Sequence, residues 1–266
     1  MPPVNLQPLT VSLVQGATRW HDAPANRDYY GALARQARGS DLVVLPETFL
    51  SGFSNDTRAS AGTMDGEGVA WLRALAAEVN AVVCGSLAIN EDGTVYNRLF
   101  WMRPDGSHAQ YDKRHLFRMA GEHTRYGGGR ERLVVELKGW RILPQVCYDL
   151  RFPVWLRNRR LEGAAGGMDY DLALFVANWP APRRQPWRTL LRARAIENLA
   201  YVVAPAQGGL HETGRRTWGH SLVVDPWGVV LAQRDEDAEG VVLATLDAQR
   251  LAQVRRQLPA LEHRVL

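Results

Sequence analysis

Four residues stand out for the chemistry their side chains can perform. Cys147 ends the apolar run ILPQV and is followed by a segment opening at Pro153, so its thiol is expected on an exposed strand-to-helix elbow. There the positive end of the helix would favour a thiolate. Glu47 follows an apolar run and Pro46 in VVLPETFLSGF, the strand end where α/β sheets usually carry their sites. Lys113 lies in YDKRHLF and Glu122 in AGEHTRYGGG. A thiol nucleophile needs a base, and a carboxylate can serve if burial raises its pKa. A lysine can stabilise an oxyanion while holding that carboxylate, and a second carboxylate can orient the lysine. Taken singly, each has an ordinary explanation: an inert thiol, a helix cap, a surface cation, a loop charge. Cys84, inside the strand-like AVVCGSLA, reads as a small buried hydrophobe. Spacing alone cannot bring residues so far apart together.

Lys113 has a second claim. Of the 32 basic residues, only Lys113 and Lys138 are lysines. A coding bias explains most of that, yet a lysine that survives it can mark a place needing a compact ammonium instead of a planar guanidinium. Lys138, in the turn-like ELKGW, is expected at the surface.

The elements that must position these groups alternate along the chain. LTVSLVQGA, DLVVLPE, AVVCGSLAIN, TVYNRLFWM, WRILPQVCYDL, DLALFVAN and YVVAPAQGG read as strands. PANRDYYGALARQAR, GEGVAWLRALAAEVN, FPVWLRNRRLEG and QPWRTLLRARAIENLA read as helices, with Arg157, Arg159 and Arg160 on a solvated face of the third. Tight turns are expected at Asp92-Gly93, Asp105-Gly106 and Gly139, and a hairpin in SLVVDPWGVVLA. A strand and a helix capped by Asp247 follow. EGAAGGMDYD is the loosest stretch. The pattern predicts an α/β fold of mixed parallel and antiparallel strands, residues 1–266 forming a single domain.

Composition sets the class. The 266 residues are 46% hydrophobic and 23% charged, an ordinary globular balance that excludes disorder and disulfide-stapled miniproteins. A net charge of +4 is too mild to imply nucleic acid. No apolar run approaches a membrane span, MPPVNLQPLT lacks the order of a secretory signal, and two cysteines suit a reducing cytoplasm. Seven histidines without HExxH or CxxC give a poor metal set. Ser221, His220 and Asp225 lack the GxSxG setting, and the glycines at 127 to 129 lack the trailing Lys-Ser/Thr of a phosphate loop.

The segments VVLPETFLSGF, YDKRHLF and QVCYDLRFP resemble the three signature blocks of the nitrilase (carbon–nitrogen hydrolase) superfamily, in that family's order of Glu, Lys, Cys. AGEHTRYGGG, VANWPAPRRQPWRTLLRARAIENLAYVV and GHSLVVDPWGVVLA extend the resemblance from the first strand to the last helix. It implies a four-layer αββα sandwich, paired into a homodimer. It also implies Cys147 as nucleophile, Glu47 as general base, Lys113 as catalytic lysine and Glu122 as the additional glutamate. The oxyanion would be held by Lys113 and the backbone N–H of Tyr148; Asp149 and Arg151 would brace the elbow as an ion pair; Trp179 and Phe53 would lie near the pocket. Within the superfamily the chain looks most like the ω-amidase branch, which hydrolyses small carboxylate-bearing amides such as 2-oxoglutaramate to acid and ammonia through a thioester. Arg183, Arg184, Arg215 and Arg216 are candidates to receive the carboxylate. A deaminated-glutathione amidase, an N-carbamoyl amidase or a true nitrilase would share the catalytic set and differ in the pocket. A catalytically silent binding module on the same fold is disfavoured by the intact Glu-Lys-Cys set. The implied chemistry needs no metal or organic cofactor, and neither a nucleic-acid nor a membrane partner is expected.

Overall fold

The computed structural model describes residues 6–161, 167–209, 216–235 and 238–263. In chain order the elements of the first half are β1 (Leu9–Gln15), α1 (Ala23–Arg35), β2 (Leu42–Val44), α2 (Thr57–Ser60), α3 (Glu67–Val79), β3 (Val82–Glu91), β4 (Thr94–Met102), β5 (His108–Asp112) and β6 (Val135–Leu137). There follow β7 (Trp140–Val146), α4 (Pro153–Leu156), β8 (Leu172–Val176), α5 (Arg184–Asn198), β9 (Tyr201–Ala204), β10 (Leu222–Val224), β11 (Val230–Gln233), β12 (Gly240–Leu246) and α6 (Ala248–Gln257).

The strands form two six-stranded sheets, ordered β12-β1-β2-β3-β4-β5 and β11-β10-β9-β8-β7-β6. In each, the inner pairs are parallel (β1-β2 and β2-β3; β7-β8 and β8-β9) and the flanking pairs antiparallel. Two-residue turns with positive φ, Asp92-Gly93 and Lys138-Gly139, join β3 to β4 and β6 to β7, as hairpins of matched twist require. Lys138 is half-exposed and pairs with Asp41.

The period-two alternation of side chains builds two cores. Leu42 and Val44 of β2 join Leu13, Trp101, Ile142 and Leu174 between the sheets. Val43 points the other way, with Leu45, towards Tyr30 of α1 and Leu72 of α3. A strand covered on both faces reads as an unbroken apolar run, which is why DLVVLPE shows no alternation. On the far side α5 buries Trp187, Leu191 and Ala195. The result is the αββα layering.

One expected element is much shorter. The helix read over FPVWLRNRRLEG is a single turn, Pro153–Leu156, and Arg157 is already extended. Arg157, Arg159 and Arg160 are exposed, but on non-helical chain. Buried Asn158 supplies the reason: its carboxamide donates to the carbonyls of Tyr170 and Asn198 and accepts from the Tyr170 N–H. An asparagine that offers the backbone such partners competes with helix continuation. Residues 162–166 of the loosest stretch lie outside the described residues.

Candidate active site

The three principal residues are carried out of separate strands to one place. Glu47 lies just beyond the end of β2, Lys113 immediately follows β5, and Cys147 immediately follows β7. Glu122 arrives from a short 3₁₀ turn over Glu122–Thr124. The glycine run after it packs against the lysine's backbone. Gly129 donates to the Lys113 carbonyl at 3.0 Å, and a Cβ there would lie 2.0 Å from the Asp112 carbonyl oxygen. That close approach requires a glycine at position 129.

Lys113 Nζ donates to Glu47 Oε1 at 2.9 Å and to Glu122 Oε1 at 3.0 Å, with all three side chains fully buried. Burial disfavours the ammonium, but the two carboxylates outweigh it and hold the Lys113 pKa well above its ordinary value. Burial raises the Glu122 carboxyl, with Lys113 opposing the rise. Glu47 Oε2 accepts from the Asn178 N–H at 2.8 Å, and the Glu47 carbonyl accepts from Gln207 Nε2 at 2.8 Å.

The Cys147 thiol lies 3.8 Å from the Asn178 carbonyl, to which it donates. Burial pushes it well above the usual thiol range, and the Glu47 charge and hydrogen bond push it further, against the pull of Lys113. A thiol whose pKa is held up in this way would need a base to take its proton before it could act as a nucleophile. The elbow is not the exposed helix N-terminus that the pattern suggested. Cys147 is 8% exposed at the end of an interior strand, and it opens a five-residue 3₁₀ turn. Its φ of 45° and that of Thr48, also 45°, put two non-glycine residues in the left-handed region beside the site, strain of the kind that concentrates at functional centres.

Glu47, Lys113, Cys147 and Asn178 line a cavity of about 610 Å³, and Glu122 is not part of that lining. Phe53 and Trp179 line it too, the Phe53 ring 5.3 Å from Lys113 Nζ and the Trp179 indole donating to the Arg183 carbonyl. Tyr148 lines it as well, its ring edge-on to Phe117 and Phe152.

A family model for carbon–nitrogen hydrolases matches residues 10–256. The chain belongs to the carbon–nitrogen hydrolase family. Omega-amidase YafV of Yersinia enterocolitica is 44% identical over 252 residues, covering 95% of each chain. The 2-oxoglutaramate amidase of Bacillus subtilis is 34% identical over 86% of this chain and 87% of its own. Among solved structures, XC1258 from Xanthomonas campestris, a CN-hydrolase superfamily protein with an arsenic adduct in its active site, superposes with a TM-score of 0.95. It is 52% identical, and 98% of each chain is covered.

In this carbon–nitrogen hydrolase two of the four candidate arginines reach the cavity. Arg183 and Arg216 line the cavity, Arg184 stands 5.6 Å over the Trp218 ring, and Arg215 lies outside the described residues. Asp149 does not pair with Arg151. Its carboxylate accepts from Tyr111 Oη, the Val146 N–H and both the N–H and the ring of His115. Arg151 instead lines the cavity, 5.4 Å over the Trp179 ring. The Ser221 hydroxyl accepts from Ala206, and Asp225 is engaged by Arg250 and by the turn N–H groups of Trp227 and Val229. Sequence reasoning passed over Asn97, Asn178 and Gln207. Asn97 lies within strand β4, while Asn178 and Gln207 follow the ends of β8 and β9, and no pattern in the sequence marks the three as a group.

Proposed function

We propose that this protein is a cysteine-dependent amidase of the ω-amidase type, hydrolysing a small carboxylate-bearing amide to acid and ammonia. One observation carries the reading: the thiol of Cys147, the buried carboxyl group of Glu47 and the buried amine of Lys113 meet in one cavity, the carboxyl group fixed between Lys113 and the Asn178 N–H. Glu47 takes the Cys147 proton as sulfur attacks the amide carbon, and Lys113 with the Tyr148 N–H stabilises the oxyanion. Collapse of that intermediate breaks the C–N bond. Glu47 returns the proton to the leaving ammonia, leaving a thioester on Cys147. Water, deprotonated by Glu47, then hydrolyses the thioester and restores the thiol. Glu122 holds Lys113 in place.

The substrate class follows from the lining charges. Among the described residues, Arg151, Arg183 and Arg216 join Lys113 on the wall, where Glu47 supplies the lining carboxylate. Arg151 and Arg183 lie over the rings of Trp179 and Phe117, and such stacking limits their freedom while leaving guanidinium edges for a carboxylate. The relatives named for ω-amidase and 2-oxoglutaramate amidase activity support the same class. The test is ammonia release from 2-oxoglutaramate, succinamate, butyramide, a nitrile and a carbamoylated amine. A large kcat/KM preference for the anionic amides is expected. Equal turnover of butyramide or of the nitrile would overturn the ω-amidase assignment while leaving the thiol chemistry intact.

The active unit is proposed to be a cytoplasmic homodimer formed from residues 1–266 as one domain. Among the described residues no helix is long and apolar enough to cross a membrane. Ile196 is 47% exposed beside the Gly228 turn, and Val230 and Leu231 on edge strand β11 are 37% and 47% exposed, an apolar surface suited to a second copy. Analytical ultracentrifugation should return twice the 29.7 kDa chain mass.

A further inference from the structure

Lys113 is not the only donor shared by the two buried glutamates. Asn97, on β4 and 1% exposed, directs its Nδ2 to Glu47 Oε1 at 2.8 Å and to Glu122 Oε1 at 3.4 Å. Two donor nitrogens and two acceptor oxygens therefore close a ring: each of Lys113 Nζ and Asn97 Nδ2 reaches both Oε1 atoms. Asn97 holds the lysine a second way, because the Lys113 N–H donates to the Asn97 carbonyl at 3.0 Å.

The orientation of the carboxamide is fixed by its surroundings. Turned over, it would set its oxygen against two carboxylates. As it stands, Asn97 Oδ1 is buried without a hydrogen-bond partner. An orphan buried acceptor costs stability, and an apolar side chain of similar size on this strand would avoid it. The cost is explained if the two N–H groups do something the fold alone does not need. A lysine with three N–H groups that spends two on carboxylates has one left for a developing oxyanion. Its direction depends on where the two acceptors stand. A second neutral donor between the carboxylates also keeps two like charges at fixed places around one cation without adding charge of its own.

We propose that Asn97 is a positioning residue of this active site: its carboxamide bridges Glu47 and Glu122, fixing the plane of the base and aiming the third N–H of Lys113 at the reacting carbonyl. It acts through those groups and is not among the cavity-lining residues. The inference rests on the reading of Glu47, Lys113 and Cys147 as the reacting set.

The test uses Asn97→Ala, Asn97→Asp and Asn97→Ser in the full chain, with Cys147→Ala alongside, on succinamate across a pH range. For Asn97→Ala, kcat should fall about 30-fold with KM changed less than about threefold, because the substrate-binding wall is untouched. Asn97→Ser, whose hydroxyl can donate one bond, should lie between alanine and wild type. Asn97→Asp keeps the shape but loses the donor when ionised. Its kcat, relative to wild type, should recover as pH is lowered, since a protonated carboxyl again supplies an O–H; alanine should show no such recovery. Folded Asn97→Ala with kcat within twofold of wild type would overturn the proposal. So would a loss confined to KM, or an aspartate profile parallel to that of alanine. Failure of all three variants to fold would assign Asn97 to the fold alone and also overturn it. If Cys147→Ala retained wild-type activity, the reading of the reacting set would fall first; a dead Cys147→Ala beside a wild-type Asn97→Ala would remove only the role of Asn97.

Discussion

Asp149 Oδ1 and His115 Nδ1 lie 2.7 Å apart, joining the turn that carries Cys147 to the segment that carries Lys113. Asp149 is two residues after Cys147 and His115 two after Lys113, and the His115 ring stacks on Phe152 at 3.7 Å. The fully buried Asp149 carboxylate accepts four hydrogen bonds. An asparagine in its place would turn an amide nitrogen towards donors. Asp149→Asn is therefore expected to lose on the order of 3 kcal/mol of stability, because buried donors are stranded. It should also lose kcat as the elbow relaxes. His115→Phe, which keeps the stacking, should lose less of both. Thermal melts and steady-state rates on the same preparations check this.

The two cysteines should separate cleanly. Both are free and buried, but only Cys147 borders the cavity. Cys147→Ala should fold and lose activity by at least about 1,000-fold. Cys84→Ala should keep its rate and lose about 1–2 kcal/mol of stability to the small cavity. Mass spectrometry after substrate addition should find an acyl group on the peptide containing Cys147; an adduct on Cys84 would contradict the assignment.

A guanidinium should not replace the Lys113 ammonium. The nitrogen sits between two carboxylates at 2.9 and 3.0 Å in a fully buried setting, which leaves no room for a wider planar cation. Lys113→Arg should be nearly as inactive as Lys113→Ala, about 100-fold or more below wild type. Near wild-type turnover of succinamate by the arginine variant would mean that positive charge alone suffices.

Arg151 and Arg183 should act on the substrate's charge, not on bond cleavage as such. Replacing either with glutamine is expected to cut kcat/KM for succinamate about 10- to 100-fold, the loss of a charged hydrogen bond. Butyramide, lacking the carboxylate, should be turned over at an almost unchanged low rate. Equal losses on both amides would refute carboxylate recognition by these residues.

His220 gives stability an acid-side slope. Burial, then the nearby Arg188 charge, hold its pKa below the ordinary 6.5, with Asp235 opposing. In the range from 6.5 down to the lowered folded value the unfolded chain binds more protons, so this contribution is lost as pH falls. His220 also has φ of 57°, which asparagine tolerates. His220→Asn should show a shallower fall in Tm between about pH 7 and about pH 5. An unchanged slope would place the acid sensitivity elsewhere.

The candidate set was legible because Glu47 and Cys147 each follow an apolar run and all three residues, Lys113 included, sit in recognisable blocks. The hairpins were legible because Asp92-Gly93 and Lys138-Gly139 sit where φ must be positive. The supporting groups were not. Asn178 holds Glu47 and Cys147 through its peptide N–H and carbonyl, which every residue but proline possesses, so its type carries no signal. Asn97 is one polar residue in a strand, indistinguishable by period from a solvent-facing one. The expected Asp149–Arg151 pair does not form, because the 3₁₀ turn sends the two side chains to different partners. The helix ending at Leu156 depends on Asn158 meeting Tyr170 and Asn198 across the fold, a contact that no local pattern encodes.

The antiparallel pairing of β1 with β12, from Leu9 opposite Leu246 to Gln15 opposite Gly240, joins segments from the two extremes of the described chain. During synthesis, β1 must therefore wait, with one edge unpaired, until more than two hundred further residues have been made. An open strand edge is a template for pairing with other chains, and long-range closure of this kind slows folding. A sheet begun by β1 is thus completed only by a strand made more than two hundred residues later. Aggregation during expression, more than the equilibrium stability of the finished sandwich, is where changes in β12 would first be felt.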